Sequence, residues 1–113
     1  MGMRQNIALH FKDKEYGHSS KIPQVIYIYS HWDGEEGMSP LKLKLKKALG
    51  KKWRWEDDSY LSRIIVSEVF KDDIDGETGY GIAPYPIDED FPTIHVDLKN
   101  QTVDGISFEE FIK

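Results

Sequence analysis

Apolar and polar residues alternate at the start of the chain, where Ile7, Leu9 and Phe11 are interleaved with more polar neighbours between Asn6 and Lys12. A period of two is the mark of a strand with one buried face. The stretch KDKEYGHSSKIP, Lys12 to Pro23, follows as a turn-rich connection. In VIYIYSHW, Val25, Tyr27 and Tyr29 fall on one face, with Ile26, Ile28 and Trp32 on the other. Apolar side chains on both faces predict a central strand.

The pattern then changes. Ser39 and Pro40 are suited to a helix N-cap and first turn, and Gly50 to its end. Between them LKLKLKKAL fits two templates, a strand by strict alternation through Lys46 and a helix by the stripe Leu41, Leu45, Ala48, Leu49. The terminal signals decide for the helix. A second helix, capped by Asp57 or Asp58, is predicted from Leu61, Ile64, Ile65 and Val69, whose spacing makes one core-facing stripe. DDIDGETG ends it in a turn cluster, and YGIAPYPI reads as a short edge segment limited by its prolines.

Near the C-terminus Ile94, Val96 and Leu98 alternate with Thr93, His95 and Asp97. Lys99 to Gln101 turn, Thr102 to Ile106 can return as a hairpin partner, and Ser107 with Glu110 forms a capping box for a short helix bearing Phe108, Phe111 and Ile112. The sum is one α+β domain, residues 1–113, with a mostly antiparallel sheet of about four to five strands packed on two helices. A short C-terminal helix closes it.

Composition agrees with a folded domain: 113 residues, 39% hydrophobic and 31% charged, are outside the range of disordered or fibrous chains. No cysteine is present, which excludes disulfides, thiolate metal sites and a cysteine nucleophile. MGMRQN has no apolar leader and no run reaches the length of a membrane span, so no membrane association and a cytoplasmic location are expected. The net charge of -5 is unevenly placed. Seven basic residues and no acid lie between Lys42 and Arg54, whereas Glu56 to Asp90 holds eleven acids against Arg63 and Lys71. An acidic total argues against nucleic acid as the main partner, while the basic stretch suits phosphate or an acidic protein.

Two H-x-D pairs carry the candidate chemistry, His31 with Asp33 and His95 with Asp97. Residues i and i+2 of a strand point the same way, so each pair offers an imidazole beside a carboxylate, and neighbouring strands would bring four ligands together. The spacing lacks the fixed pattern of zinc motifs, and a solvated strand face with an Asp33-Gly34 turn accounts for the same residues. No metal and no cofactor are therefore assigned, and no catalytic residue is named. The DDIDGETG stretch lacks the first ligand and the bidentate glutamate of a calcium loop. GETGYG has neither the lysine of a phosphate-binding loop nor a dinucleotide fingerprint. Trp53, Arg54 and Trp55, beside the basic run, form a candidate interface in which one indole is expected to fill the core.

YSHWDG, a leucine-bearing helix, RWEDDSYL, TGYGI and IHVDLKNQTV occur in this order between Tyr27 and Asp104. The arrangement resembles a group of small phage- and prophage-encoded proteins with the pattern Y-x-H-[WY]-D-G-Y-P, a W-x-D-x-S-Y-L-like segment, a G-[IY] strand and an I-D-L hairpin. Glu35-Glu36 stand here where the pattern has Tyr-Pro. The resemblance implies a viral or mobile-element setting and marks His31, Trp32, Asp33, Gly34, Trp55, Asp57, Tyr60 and Gly81 as motif positions.

The candidate functional patch is thus His31, Trp32, Asp33, Gly34, Tyr80, His95 and Asp97. The expected function is that of a small non-enzymatic accessory protein that binds a host or phage macromolecule, with a protein as the expected partner. The alternative is a small-molecule or metal-dependent site built on His31 and Asp33. In a third reading the same motif only fixes a strand-to-helix turn.

Overall fold

The first alternating segment becomes the interior of the sheet. The structure, a computed structural model, describes residues 3–12, 14–16, 20–22, 24–34, 39–87 and 92–113; of residues 3, 14–16, 20–22 and 32–34 it describes the backbone alone. Its strands are β1 (Met3–His10), β2 (Lys14–Tyr16), β3 (Ser20–Ile22), β4 (Val25–Gly34), β5 (Tyr80–Ala83), β6 (Thr93–Asp97), β7 (Thr102–Val103) and β8 (Ile106–Ser107). The helices are α1 (Pro40–Gly50), α2 (Asp58–Phe70) and α3 (Phe108–Phe111), with a 3-10 turn over Lys71–Asp73.

Six strands form one sheet in the order β5-β4-β1-β6-β7-β8. Every pairing is antiparallel except β1 with β6, where Ile7 stands opposite Ile94 and Leu9 opposite Val96. The fold is the expected α+β arrangement with a mostly antiparallel sheet. Its sixth strand arises because the predicted return strand splits into β7 and β8, two residues each, around Asp104 and Gly105, both with positive φ. The turn-rich connection after β1 contains the small β2–β3 ladder, with Lys14 opposite Ile22. Three-residue strands are too short to show a period, so a local backbone ladder leaves no pattern to read.

Ile7, Leu9, Ile28, Ile94 and Val96 point to the helix side and form one core with Leu41, Leu45, Ala48 and Leu49 of α1, Leu61, Ile65 and Val69 of α2, and Phe108 of α3. The Ser39 hydroxyl caps α1 by accepting from the Lys42 N–H at 3.1 Å. The same hydroxyl donates to Gln5 Oε1 at 2.7 Å, tying the helix start to β1. Asp57 caps α2 through the Tyr60 N–H at 3.2 Å. Gly50 is the last residue of α1 rather than the one beyond it, and the left-handed turn is made by Lys52 at φ 58°.

One charge is buried between the helices. Glu68 is 4% exposed and is met by Lys71 at 2.9 Å, Lys47 at 3.5 Å and Lys51 at 3.6 Å. Burial pushes its carboxyl up, but the Lys71 hydrogen bond and the three lysine charges outweigh this and hold it below the ordinary carboxylate value. A lowered folded pKa stabilises the protein above the unfolded value, and that contribution is lost as pH falls through the folded value. In urea titrations, Glu68→Gln is expected to be less stable than the parent at neutral pH. The gap should close on acidification below the ordinary carboxylate range; a gap that stayed constant would show that the charge is not the cause.

Candidate functional site

The sheet face turned away from the helices carries Asn6, Ala8 and His10 of β1, Tyr27, Tyr29 and His31 of β4, and Thr93, His95 and Asp97 of β6. Asn6 and Ala8 are fully buried although no helix covers them. The chain leaving β5 crosses here: the Ile87 N–H donates to Asn6 Oδ1 at 3.4 Å, and the Ile87 methyl lies 3.4 Å from where a Cβ on Gly81 would stand. Two polar regions remain, one at each end of the strands.

At one end, His10 Nε2 and His95 Nδ1 are hydrogen-bonded at 2.9 Å, with ring centroids 5.2 Å apart. Asp97 stands opposite His10 in the parallel register. Its carboxylate accepts from the Lys99 and Asn100 N–H groups, each at 3.0 Å, and from Asn100 Nδ2 at 2.9 Å. Burial, opposing these contacts, is outweighed by them and by the charge of His10, so the Asp97 carboxyl lies below its ordinary value. Partial burial and the neighbouring His95 lower the pKa of His10, with Asp97 pulling the other way. The neutral imidazole is therefore favoured at His10.

At the other end, His31 Nδ1 is bonded to the Tyr29 hydroxyl at 2.8 Å and the His31 N–H donates to Gly79 O at 2.8 Å. His95 pairs with Ala8, whereas Ser30 pairs with Gln5. His31, one residue beyond, is therefore about 14 Å or more from His95 by strand rise and spacing. That separation excludes one ion shared by the two H-x-D pairs. Among the described residues no three His, Asp or Glu side chains are grouped to hold a metal. Trp32, Asp33 and Gly34 continue the β4 backbone, with Asp33 and Gly34 both opposite Met3 at an irregular step; their side chains lie outside the described part. Tyr80 belongs to the helix side, where it meets Phe70 at 5.3 Å and accepts from Lys44 Nζ at 2.8 Å. The seven residues of the patch thus occupy separate places, and His95 keeps only Asp97 on its own strand. Its imidazole partner, His10, was not among them. The outward phase of His10 is legible in the alternation of β1, but only the parallel register brings it to His95.

The candidate interface at 53–55 divides within the α1–α2 corner. Trp55 turns inward, its ring edge-on to Phe108 at 5.3 Å and its Nε1 donating to Leu49 O at 3.1 Å. Trp53 turns outward and is 58% exposed, with Lys51 Nζ over its ring at 5.1 Å. Arg54 lies over the exposed Tyr60 ring at 5.0 Å. Lys52 and Arg54 both hold left-handed backbone, at φ 58° and 57°. For non-glycine residues this conformation costs of order 1 kcal/mol each, and such strain persists only where surrounding structure enforces it. The inward Trp55 and the Asp57 cap supply that enforcement.

Where β5 stops at Ala83, opposite Tyr27, a groove of about 560 Å³ opens along the start of β4. Phe11, Val25, Ile26, Tyr27, Pro84 and Tyr85 line it. It lies at the far end of β4 from His31. Among the described residues no helix is long and apolar enough to cross a membrane. Comparison with family models, with curated proteins and with solved structures returned no match for the chain.

Proposed function

We propose that the chain is a non-enzymatic accessory protein, in the mobile-element setting implied by its motif pattern, that acts by binding a partner protein at the α1–α2 corner. The observation that carries this reading is Trp53, more than half exposed and held outward between two left-handed residues. Solvent-exposed tryptophan beside arginine and lysine is the composition of an interface anchor, since a large apolar ring gains most from being covered. Lys51, Lys52 and Arg54 stand around it; Glu68 and Glu109 meet the two lysines, each at 3.6 Å, and the Arg54 guanidinium over Tyr60 adds the cation that selects an acidic partner surface and speeds encounter. Arg54 is already stacked on Tyr60, so part of the ordering a partner would require is done beforehand.

The test uses a photoreactive residue in place of the exposed Glu56 in two versions of the chain, with Trp53 intact and with Trp53→Ala, each added to bacterial host lysate. Trp53→Ala is expected to reduce a specific adduct at least tenfold, the loss of an anchor, while urea stability stays within about 0.5 kcal/mol of the parent. Equal adduct from both versions, or none above background, would remove the proposal's support.

A further inference from the structure

We infer that His10 and His95 form a two-imidazole chelate for a divalent transition-metal ion of the Cu2+ type, at the end of the sheet face that no helix covers. The distance between the two rings leads there. The two nitrogens that face each other, His10 Nε2 and His95 Nδ1, are 2.9 Å apart. Two nitrogens bound to one ion at about 2.0–2.1 Å lie roughly 2.8–3.4 Å apart as the angle at the metal goes from a right angle to tetrahedral. The strands therefore already set the imidazoles at ligating distance. The hydrogen bond also requires one nitrogen to give its proton to the other's lone pair, and an ion replaces that proton.

No net proton need be released on binding. The ring that donates the hydrogen bond moves its hydrogen to its outer nitrogen, and the ring that accepts already carries its hydrogen there, so with Nδ1 of His10 and Nε2 of His95 protonated both inner lone pairs are available. The ring centroids at 5.2 Å place these lone pairs head-on, so both rings must turn by roughly 35–45° for the lone pairs to meet at one ion beside the line between them, and His95, exposed on its strand, has room to do so. Asp97 adds a negative charge opposite His10 while its own oxygens stay committed to Lys99 and Asn100. It acts as an electrostatic support rather than a third ligand. Imidazole suits Cu2+ and Ni2+, and tetragonal ions accept two cis nitrogens with water in the remaining positions. His10 on β1 and His95 on β6 come from distant parts of the sequence, so the chelate exists only in the folded chain.

The experiment titrates Cu2+, with glycine present as a weak competitor, into the full chain and follows both calorimetry and the imidazole NMR signals. One equivalent is expected to bind, with paramagnetic broadening of the His10 and His95 rings before those of His18 and His31. His10→Ala and His95→Ala should each weaken binding at least tenfold, and His31→Ala should leave it unchanged. His95→Gln, which keeps a hydrogen-bonding side chain opposite His10, should also lose the ion, so a loss with folding intact is read as lost ligation. The inference is overturned if binding is not saturable at one equivalent, if it survives both histidine substitutions, or if His18 or His31 broadens first.

Discussion

Phe108→Ala is expected to destabilise the protein by about 3–5 kcal/mol, the cost of removing a buried aromatic ring and leaving its cavity. Phe108 is 1% exposed, and it stands where α3 closes over the end of the sheet. Its N–H donates to Gln101 O at 2.9 Å, and its ring meets Trp55 edge-on. The backbone there is therefore fixed, and the site cannot collapse freely into the space. Urea denaturation should show a midpoint lowered with little change in slope. A loss under 1 kcal/mol would mean that α3 contributes little to the core. The substitution also reaches the proposed interface, because the ring edge that Trp55 packs on is gone. Partner capture through Trp53 should fall even at urea-free conditions where the chain remains folded.

Ser39→Ala is the second large effect, about 2–4 kcal/mol from a single hydroxyl. The cap to the Lys42 N–H contributes roughly 1 kcal/mol, as helix N-caps do. The remainder is the penalty for Gln5 Oε1, which loses its donor in a fully buried setting, about 1–3 kcal/mol. Ser39 is 0% and Gln5 4% exposed, so no solvent takes the place of the hydroxyl. Ser107 provides the internal comparison, since it caps α3 through the Glu110 N–H at 3.2 Å while exposed to solvent. Thermal melts of the two alanine variants should separate clearly, Ser39→Ala losing at least twice the stability of Ser107→Ala. Equal losses would place the whole effect in the caps and none in Gln5.

Elements with a strong local period were legible in the sequence. Ile7 and Leu9 alternate because one face of β1 meets the helices, and Leu61, Ile65 and Val69 repeat because one face of α2 meets the sheet. Capping was legible for the same reason, as Ser39, Asp57 and Ser107 act on N–H groups three residues away. What escaped was information held between distant segments. Nothing near His95 specifies that Ala8 stands opposite it, so the sequence pattern points from His95 to His31 instead of to His10. The direction of the two indoles at the corner escaped for a different reason. Lys52 and Arg54 adopt a conformation usually left to glycine, and no residue type there announces it.

The pairing of β1 with β6 has a consequence for how the chain is made. On a ribosome, β1 and β4 meet early as local partners, and α1 and α2 can follow onto them, but the second edge of β1 waits until Thr93–Asp97 has emerged. Until then a strand with unpaired N–H and C=O groups along one edge is open to any extended segment nearby. Hazard from misassembly is thus concentrated in the interval between synthesis of α2 and synthesis of β6.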